Sequence, residues 1–186
     1  MPASSRSIPA VGRAGDAFVV RNFRSKFKQP VDQTLLEKEF NLLEPEHGPQ
    51  NRARSKLPRV KGCVVKERKE DGHLPYYGKY IGAPAMHKHA SRRLADSPIV
   101  SRLVEAIDSI VGQPHNHVIA TKYRNEKDNF AWHSDKYKDL VPGSFITSSS
   151  FGATRDLSFS LNNGKSIAFT LPLHDGDLFV MGPKTN

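Results

Sequence analysis

The residues in this chain best placed to do chemistry are His133-Ser134-Asp135, an imidazole and a carboxylate one residue apart. Side chains at i and i+2 of a β-strand point to the same face. On a strand, His133 and Asp135 would converge on one point and offer it a nitrogen and an oxygen donor. Two histidines and one carboxylate on one face of an octahedron form the ligand set of non-haem iron(II) oxygenases. The remaining positions stay open for a chelating co-substrate and for dioxygen. The triplet offers two of the three protein ligands. It also fits a surface His-Asp pair, because the chain has eight histidines and an acid two residues after one of them is unremarkable.

Other histidines invite the same question. His87/His89 and His115/His117 are i, i+2 pairs without a carboxylate or thiol close by in the sequence, so chance spacing is the expected account. Cys63 is the single cysteine. It rules out an internal disulfide and thiolate metal clusters, and it fits a reducing compartment.

The elements that must position these groups are legible in outline. A chain of 186 residues suits one domain with a real core. Hydrophobic content of 37% and charged content of 25% exclude a membrane protein and a wholly disordered one. Val31, Leu35, Leu36, Phe40 and Leu43 lie near helical spacing and predict an amphipathic helix over 31–44, ended by Pro45, Gly48 and Pro49. A second helix is expected over 97–112, with Ser97 as N-cap, Pro98 in the first turn and Gly112 as the stop. Ile99, Val100, Leu103, Val104, Ile107, Ile110 and Val111 form its apolar stripe.

After Gly112 the period changes. Residues 117–123 read as a strand. Leu157, Phe159 and Leu161 alternate with polar residues, and so do Ile167, Phe169 and Leu171. Asn162-Asn163-Gly164 between them signals a hairpin. Leu178-Phe179-Val180-Met181 follows a Gly176-Asp177 turn. The second half is therefore expected to be antiparallel β-structure preceded by helices, an α+β chain with a mainly β core.

Charge is unevenly spread. Residues 1–94 carry 19 Lys+Arg against 9 Asp+Glu, and residues 95–186 carry 9 against 10, so the net +9 arises in the first half. Residues 51–69 alone hold eight basic residues and one acid. Such a footprint suits a polyanion such as nucleic acid, or else a solvated basic tail. A Gly/Pro/Tyr stretch over 71–84 brings aromatics that could stack on bases or fold over the core. The first fifteen residues lack acids and contain three Ser and two Arg. They resemble a transit peptide faintly and a disordered N-terminus more closely.

From Asn116 to Met181 the chain resembles the AlkB family. The pieces that carry this are Thr121-Lys122-Tyr123, His133-Ser134-Asp135, residues 140–144, Ser150 to Asp156, and Leu173 to Met181. Leu57-Pro58-Arg59 and Tyr77-Gly78 also look like that family's substrate-side region, so the resemblance covers roughly 57–186 and is closest to the nucleic-acid demethylases. It implies a double-stranded β-helix, a jelly roll holding iron at its mouth, incomplete at the C-terminus. It implies Fe(II), 2-oxoglutarate and dioxygen as cofactor and co-substrates. Tyr123 matches the residue whose phenol bonds 2-oxoglutarate, although an ordinary core tyrosine is the plainer reading. Thr121 stands where the family often has Asn. Arg59, Tyr77, Tyr137 and Arg155 fall on the substrate side. Tyr137 replaces a residue that is usually acidic, and Arg155 could instead pair with Asp156.

The same resemblance implies that the third metal ligand, a histidine, lies beyond Asn186, with the arginines that pair with the co-substrate carboxylates later still. His174 matches a turn position rather than that ligand. The implied reaction is decarboxylation of 2-oxoglutarate to succinate and carbon dioxide coupled to hydroxylation of an alkyl group on a nucleobase flipped from its stack, with release of formaldehyde. The expected organisation is a disordered 1–15, a helical and basic extension over 16–56, and a truncated oxygenase domain over 57–186. The expected protein is a monomer without a membrane anchor. It is intracellular, nuclear or cytoplasmic, with an organelle still open. Hydroxylation of a non-nucleic-acid substrate, a non-catalytic nucleic-acid-binding fragment, and a plain β-sandwich remain as alternatives.

Overall fold

A computed structural model of the chain describes residues 6–7, 16–27, 30–40, 59–66, 91–135, 140–160 and 165–185. In chain order the elements are β1 (Arg6–Ser7), β2 (Ala17–Val20), a 3-10 turn (Phe23–Lys26), α1 (Gln33–Glu39), β3 (Val60–Val65), β4 (Ser91–Arg93), a second 3-10 turn (Leu94–Asp96), α2 (Pro98–Val111), β5 (His117–Lys122), β6 (Ile146–Ser149), β7 (Arg155–Ser160), β8 (Ile167–Leu173) and β9 (Leu178–Met181). The architecture is α+β, as expected. The chain forms two compact units, one of Met1–Val31, Ser109–Gln113 and Trp132–Asn186, the other of Asp32–Asp108 and Pro114–Ala131.

The first unit is built on an antiparallel sheet in the order β1-β2-β9-β6 and on the β7-β8 pair. β9 is flanked on both sides, so its run Leu-Phe-Val-Met is apolar throughout, with Leu178, Phe179 and Val180 buried. Ala17, Val19, Leu171, Leu173 and Phe179 form a core against which Leu157, Phe159, Phe169 and Met181 pack. The predicted alternation holds here: Leu157 faces Leu171 and Phe159 faces Phe169. It fades at the hairpin end, where a register shift falls at Phe159/Ser160 and Ile167 is 62% exposed. The strands outrun the core at that point. Leu161 and the Asn162-Asn163-Gly164 turn lie outside the described residues.

The second unit carries the sheet β4-β3-β5, parallel between β3 and β4 and antiparallel between β3 and β5. β3 comes from the basic stretch, yet its Cys63 and Val64 are buried. Asp32 caps α1 by accepting from the Leu35 N–H at 3.0 Å. Val31, Leu36 and Phe40 are buried, while Leu35 is 48% exposed. Leu43 lies outside the described residues. A Cβ at Gly62 would collide with the backbone carbonyl of Phe40, so β3 and the end of α1 lie closer than any other residue type permits.

The start of α2 departs from expectation in its capping. Ser97 sits at the predicted place, and its carbonyl accepts from the Ser101 N–H. Its hydroxyl, however, donates to the carbonyl of Arg93. The free N–H groups of the helix are taken by the buried carboxylate of Glu39, which accepts from Ile99 (3.0 Å) and Val100 (2.9 Å). A carboxylate there satisfies orphan donors and the positive end of the helix dipole together. The stripe Ile99, Val100, Leu103, Val104 and Ile107 is buried, and Ile110 and Val111 are half-buried.

Candidate metal centre

β5 pairs along its whole length with β3, which places Thr121 opposite Lys61. Thr121 and the following Tyr123 are both half-buried. The chain then turns through a loop held by Asp128 and Arg124. Beyond it, the Arg59 guanidinium donates to the carbonyl of Asn129 (3.1 Å) and lies 3.9 Å above the Phe130 ring. That cation–π contact and hydrogen bond occupy an arginine expected on the substrate side.

His133 and Asp135 follow. Their convergence is found, but its expected cause is not. The triplet lies outside any strand and pairs with none of the described ones. The stretch from Asn129 to Ser134 stays exposed, Phe130 and Trp132 included, and buries no apolar face against a sheet. Even so, His133 Nε2 and Asp135 Oδ1 lie 3.6 Å apart, with side chains 47% and 41% exposed. That separation is too long for a hydrogen bond.

One nitrogen and one oxygen donor thus lie side by side at the surface. Among the described residues no third His, Cys, Asp or Glu completes a metal-holding group with the pair.

Residues 28–186 match the family described as the 2OG-Fe(II) oxygenase superfamily. The chain belongs to that superfamily. Among curated proteins it is 35% identical over 96 residues to human DNA oxidative demethylase ALKBH2, a match covering 48% of this chain and 37% of that protein. The mouse protein of the same name matches equally, with 40% of its length covered. Human alpha-ketoglutarate-dependent dioxygenase alkB homolog 3 is 38% identical over 85 residues, 45% of this chain and 27% of the relative. The chain is thus similar to AlkB-type proteins and spans well under half the length of these relatives.

The other histidines among the described residues are engaged elsewhere. His174 Nδ1 lies 3.0 Å from Thr154 Oγ1, and its backbone N–H donates to Asp177. His115 and His117 do have carboxylate and thiol partners, contrary to the reading of their surroundings in sequence. Asp108, on α2, accepts from the backbone N–H of His115 and lies 2.6 Å from its Nδ1. His117 Nε2 lies 2.9 Å from Cys63 Sγ, where burial pushes the thiol up to about 12. The partners are 7 and 54 residues away, beyond the reach of a local motif. His87, His89, Tyr77 and Tyr137 lie outside the described residues.

Arg155 is half-buried opposite Leu173 on β7. Strand alternation sends Arg155 and Asp156 to opposite faces, so adjacency does not make them a pair. Asp177, 2% exposed, anchors the β8–β9 turn. Burial works to raise its carboxyl, but the N–H of His174, the Arg21 guanidinium and the N–H of Asn22 outweigh this and hold it below the usual carboxylate value. Gly176, at φ +76°, completes that turn. Asp128 and Glu39 were not singled out in sequence, and Asp177 only as part of the Gly176-Asp177 turn. Asp128 left a local trace as an acid four residues after Arg124.

Proposed function

We propose that the full-length protein carries out oxidative demethylation of alkylated nucleobases in DNA or RNA, using Fe(II), 2-oxoglutarate and dioxygen. The observation that carries this reading is the exposed His133/Asp135 pair, 3.6 Å apart, within the stretch that matches the oxygenase superfamily. The names of the ALKBH2 relatives, DNA oxidative demethylase, and the basic first half support the nucleic-acid substrate. Basic residues there would bind phosphates in a salt-dependent way.

In this reading His133 Nε2 and Asp135 Oδ1 would be two of the metal ligands. Iron with 2-oxoglutarate supplies the oxidising equivalent that hydroxylates the alkyl carbon when the group is bound. Tyr123 would hydrogen-bond 2-oxoglutarate through its phenol, and Thr121 on β5 would add a shorter-reaching hydroxyl. Tyr77, Tyr137 and Arg155 are assigned to substrate contact by the family resemblance. Arg59 would act on the substrate through the segment it holds at Asn129 and Phe130. The β1-β2-β9-β6 sheet and the β7-β8 pair, packed through Phe159 and Phe179 with ring centroids 5.7 Å apart, are two faces of a jelly roll. The oxygenase domain is assigned to 57–186 and a helical, basic extension to 16–56, in a monomeric intracellular protein. Among the described residues no helix is long and apolar enough to cross a membrane.

The test measures succinate and formaldehyde from the full-length protein with Fe(II) and 2-oxoglutarate, with and without methylated oligonucleotides. Methyl-dependent formaldehyde release supports the reading. Turnover of 2-oxoglutarate that no oligonucleotide stimulates would point to another substrate. Salt-sensitive binding of nucleic acid with no turnover would make the chain a binding module.

A further inference from the structure

We infer that Trp132 is a stacking platform for an unpaired nucleobase beside the proposed metal pair. The inference rests on the function proposed above and names a group that its substrate would meet. Trp132 directly precedes His133, and Trp132, His133 and Asp135 belong to the same compact unit. Adjacent Cα atoms across a trans peptide are about 3.8 Å apart, so the indole is rooted next to the histidine offered as a ligand.

Exposure singles this residue out. Among the described residues of that unit, Trp132 is the one exposed aromatic, at 47%. Phe23 and Phe179 are buried there, and Phe159 and Phe169 pack against the core that Phe179 helps to form. A lone aliphatic at the surface, such as Val141, is unremarkable. An indole is a larger apolar surface, and left nearly half exposed it forgoes the burial that the other rings of the unit obtain.

A flat, exposed ring suits one class of partner best. Every nucleobase has a π-face, and bases stack on aromatic side chains with little regard to sequence. That contact is open to a base that has left its own stack, as a base undergoing chemistry must. The net charge of +9 draws a polyanion to this chain rather than an apolar protein surface. The two contributions are separable. Cations bind phosphates in a salt-dependent way, whereas the indole binds the base itself.

The experiment titrates the full-length protein with a short, dye-labelled single-stranded DNA, reading affinity from anisotropy and following tryptophan emission alongside. The emission of wild type less that of Trp132→Phe isolates this ring, and it should be quenched as the strand saturates the protein. Trp132→Ala should weaken single-strand binding about tenfold. Its slope of log affinity against log salt should equal wild type, because no cation is lost. Trp132→Phe, which keeps a ring, should recover most of the affinity. A fully paired, unmodified duplex of the same sequence, whose bases stay stacked, should bind all three proteins equally. If Trp132→Ala does not fold, Trp132→Leu keeps apolar bulk without a ring and carries the same expectation. Emission that the bound strand leaves unchanged would overturn the inference, as would wild-type single-strand affinity in the folded variant. An equal loss for duplex and single strand would overturn it too, as a general defect of the fold. A wild-type protein that binds neither form would also overturn the nucleic-acid reading beneath it.

Discussion

The segments His133-Ser134-Asp135 and His115-Asn116-His117 have the same i, i+2 spacing, and the fold treats them in opposite ways. In the second, His115 packs on Asp108 at 2.6 Å and His117 on a buried Cys63 at 2.9 Å. In the first, the two side chains are nearly half exposed and sit 3.6 Å apart, facing one another without a hydrogen bond between them. A ring nitrogen held against a carboxylate or a thiol has little left to offer a metal, whereas His133 and Asp135 present a nitrogen and an oxygen donor side by side at the surface. Spacing names candidates. Burial and partner geometry separate the structural pairs from the one suited to a ligand.

The comparison can be broken first on its buried side. Gly62→Ala should cost about 3 kcal/mol or more in urea denaturation, because the new methyl meets backbone rather than a side chain that can move. A cost well below 1 kcal/mol would mean that β3 and α1 separate easily. On the exposed side, His133→Ala or Asp135→Ala in the full-length protein should weaken Fe(II) binding at least ~100-fold, or ~2.7 kcal/mol. The denaturation midpoint should stay within error of wild type. Equilibrium dialysis against Fe(II) or Co(II) measures the first quantity, and unchanged affinity would remove the pair from the metal site.

His117→Ala should show the reverse pattern, losing about 1–2 kcal/mol of stability as Cys63 loses its buried partner. Its metal affinity should equal wild type, and a loss there would erase the distinction between the two segments. The smallest effect concerns pH. The Cys63 thiol is raised from 9.0 to about 12. Between those values the native state keeps a proton that the unfolded chain releases. The contribution is therefore complete below about pH 9 and declines as pH rises toward 12. Urea midpoints at pH 8 and pH 10 should differ more for wild type than for Cys63→Ala, and equal differences would refute the assignment.

Much of the scaffold was legible because its signals are local. The period of α2, the alternation in β7 and β8, and the apolar run of β9 each depend on neighbours within a few residues, and the structure reproduces them. The capping of α2 was not legible, because its carboxylate donor, Glu39, stands sixty residues away. No strand forms at His133, and Phe130 and Trp132 just before it stay exposed instead of packing on a sheet. The anchoring of Asn129 by Arg59, seventy residues distant, left no local mark.

Residue type and order alone determined which donors are available, the α+β class, the basic first half and the likeness to the oxygenases. These follow from composition, periodicity and short motifs, which do not depend on how the chain closes. Tertiary structure decided which histidines are already engaged and that His133 and Asp135 converge without a strand. It also decided that Trp132 beside them stays exposed. Those outcomes depend on burial and on contacts between residues remote in sequence.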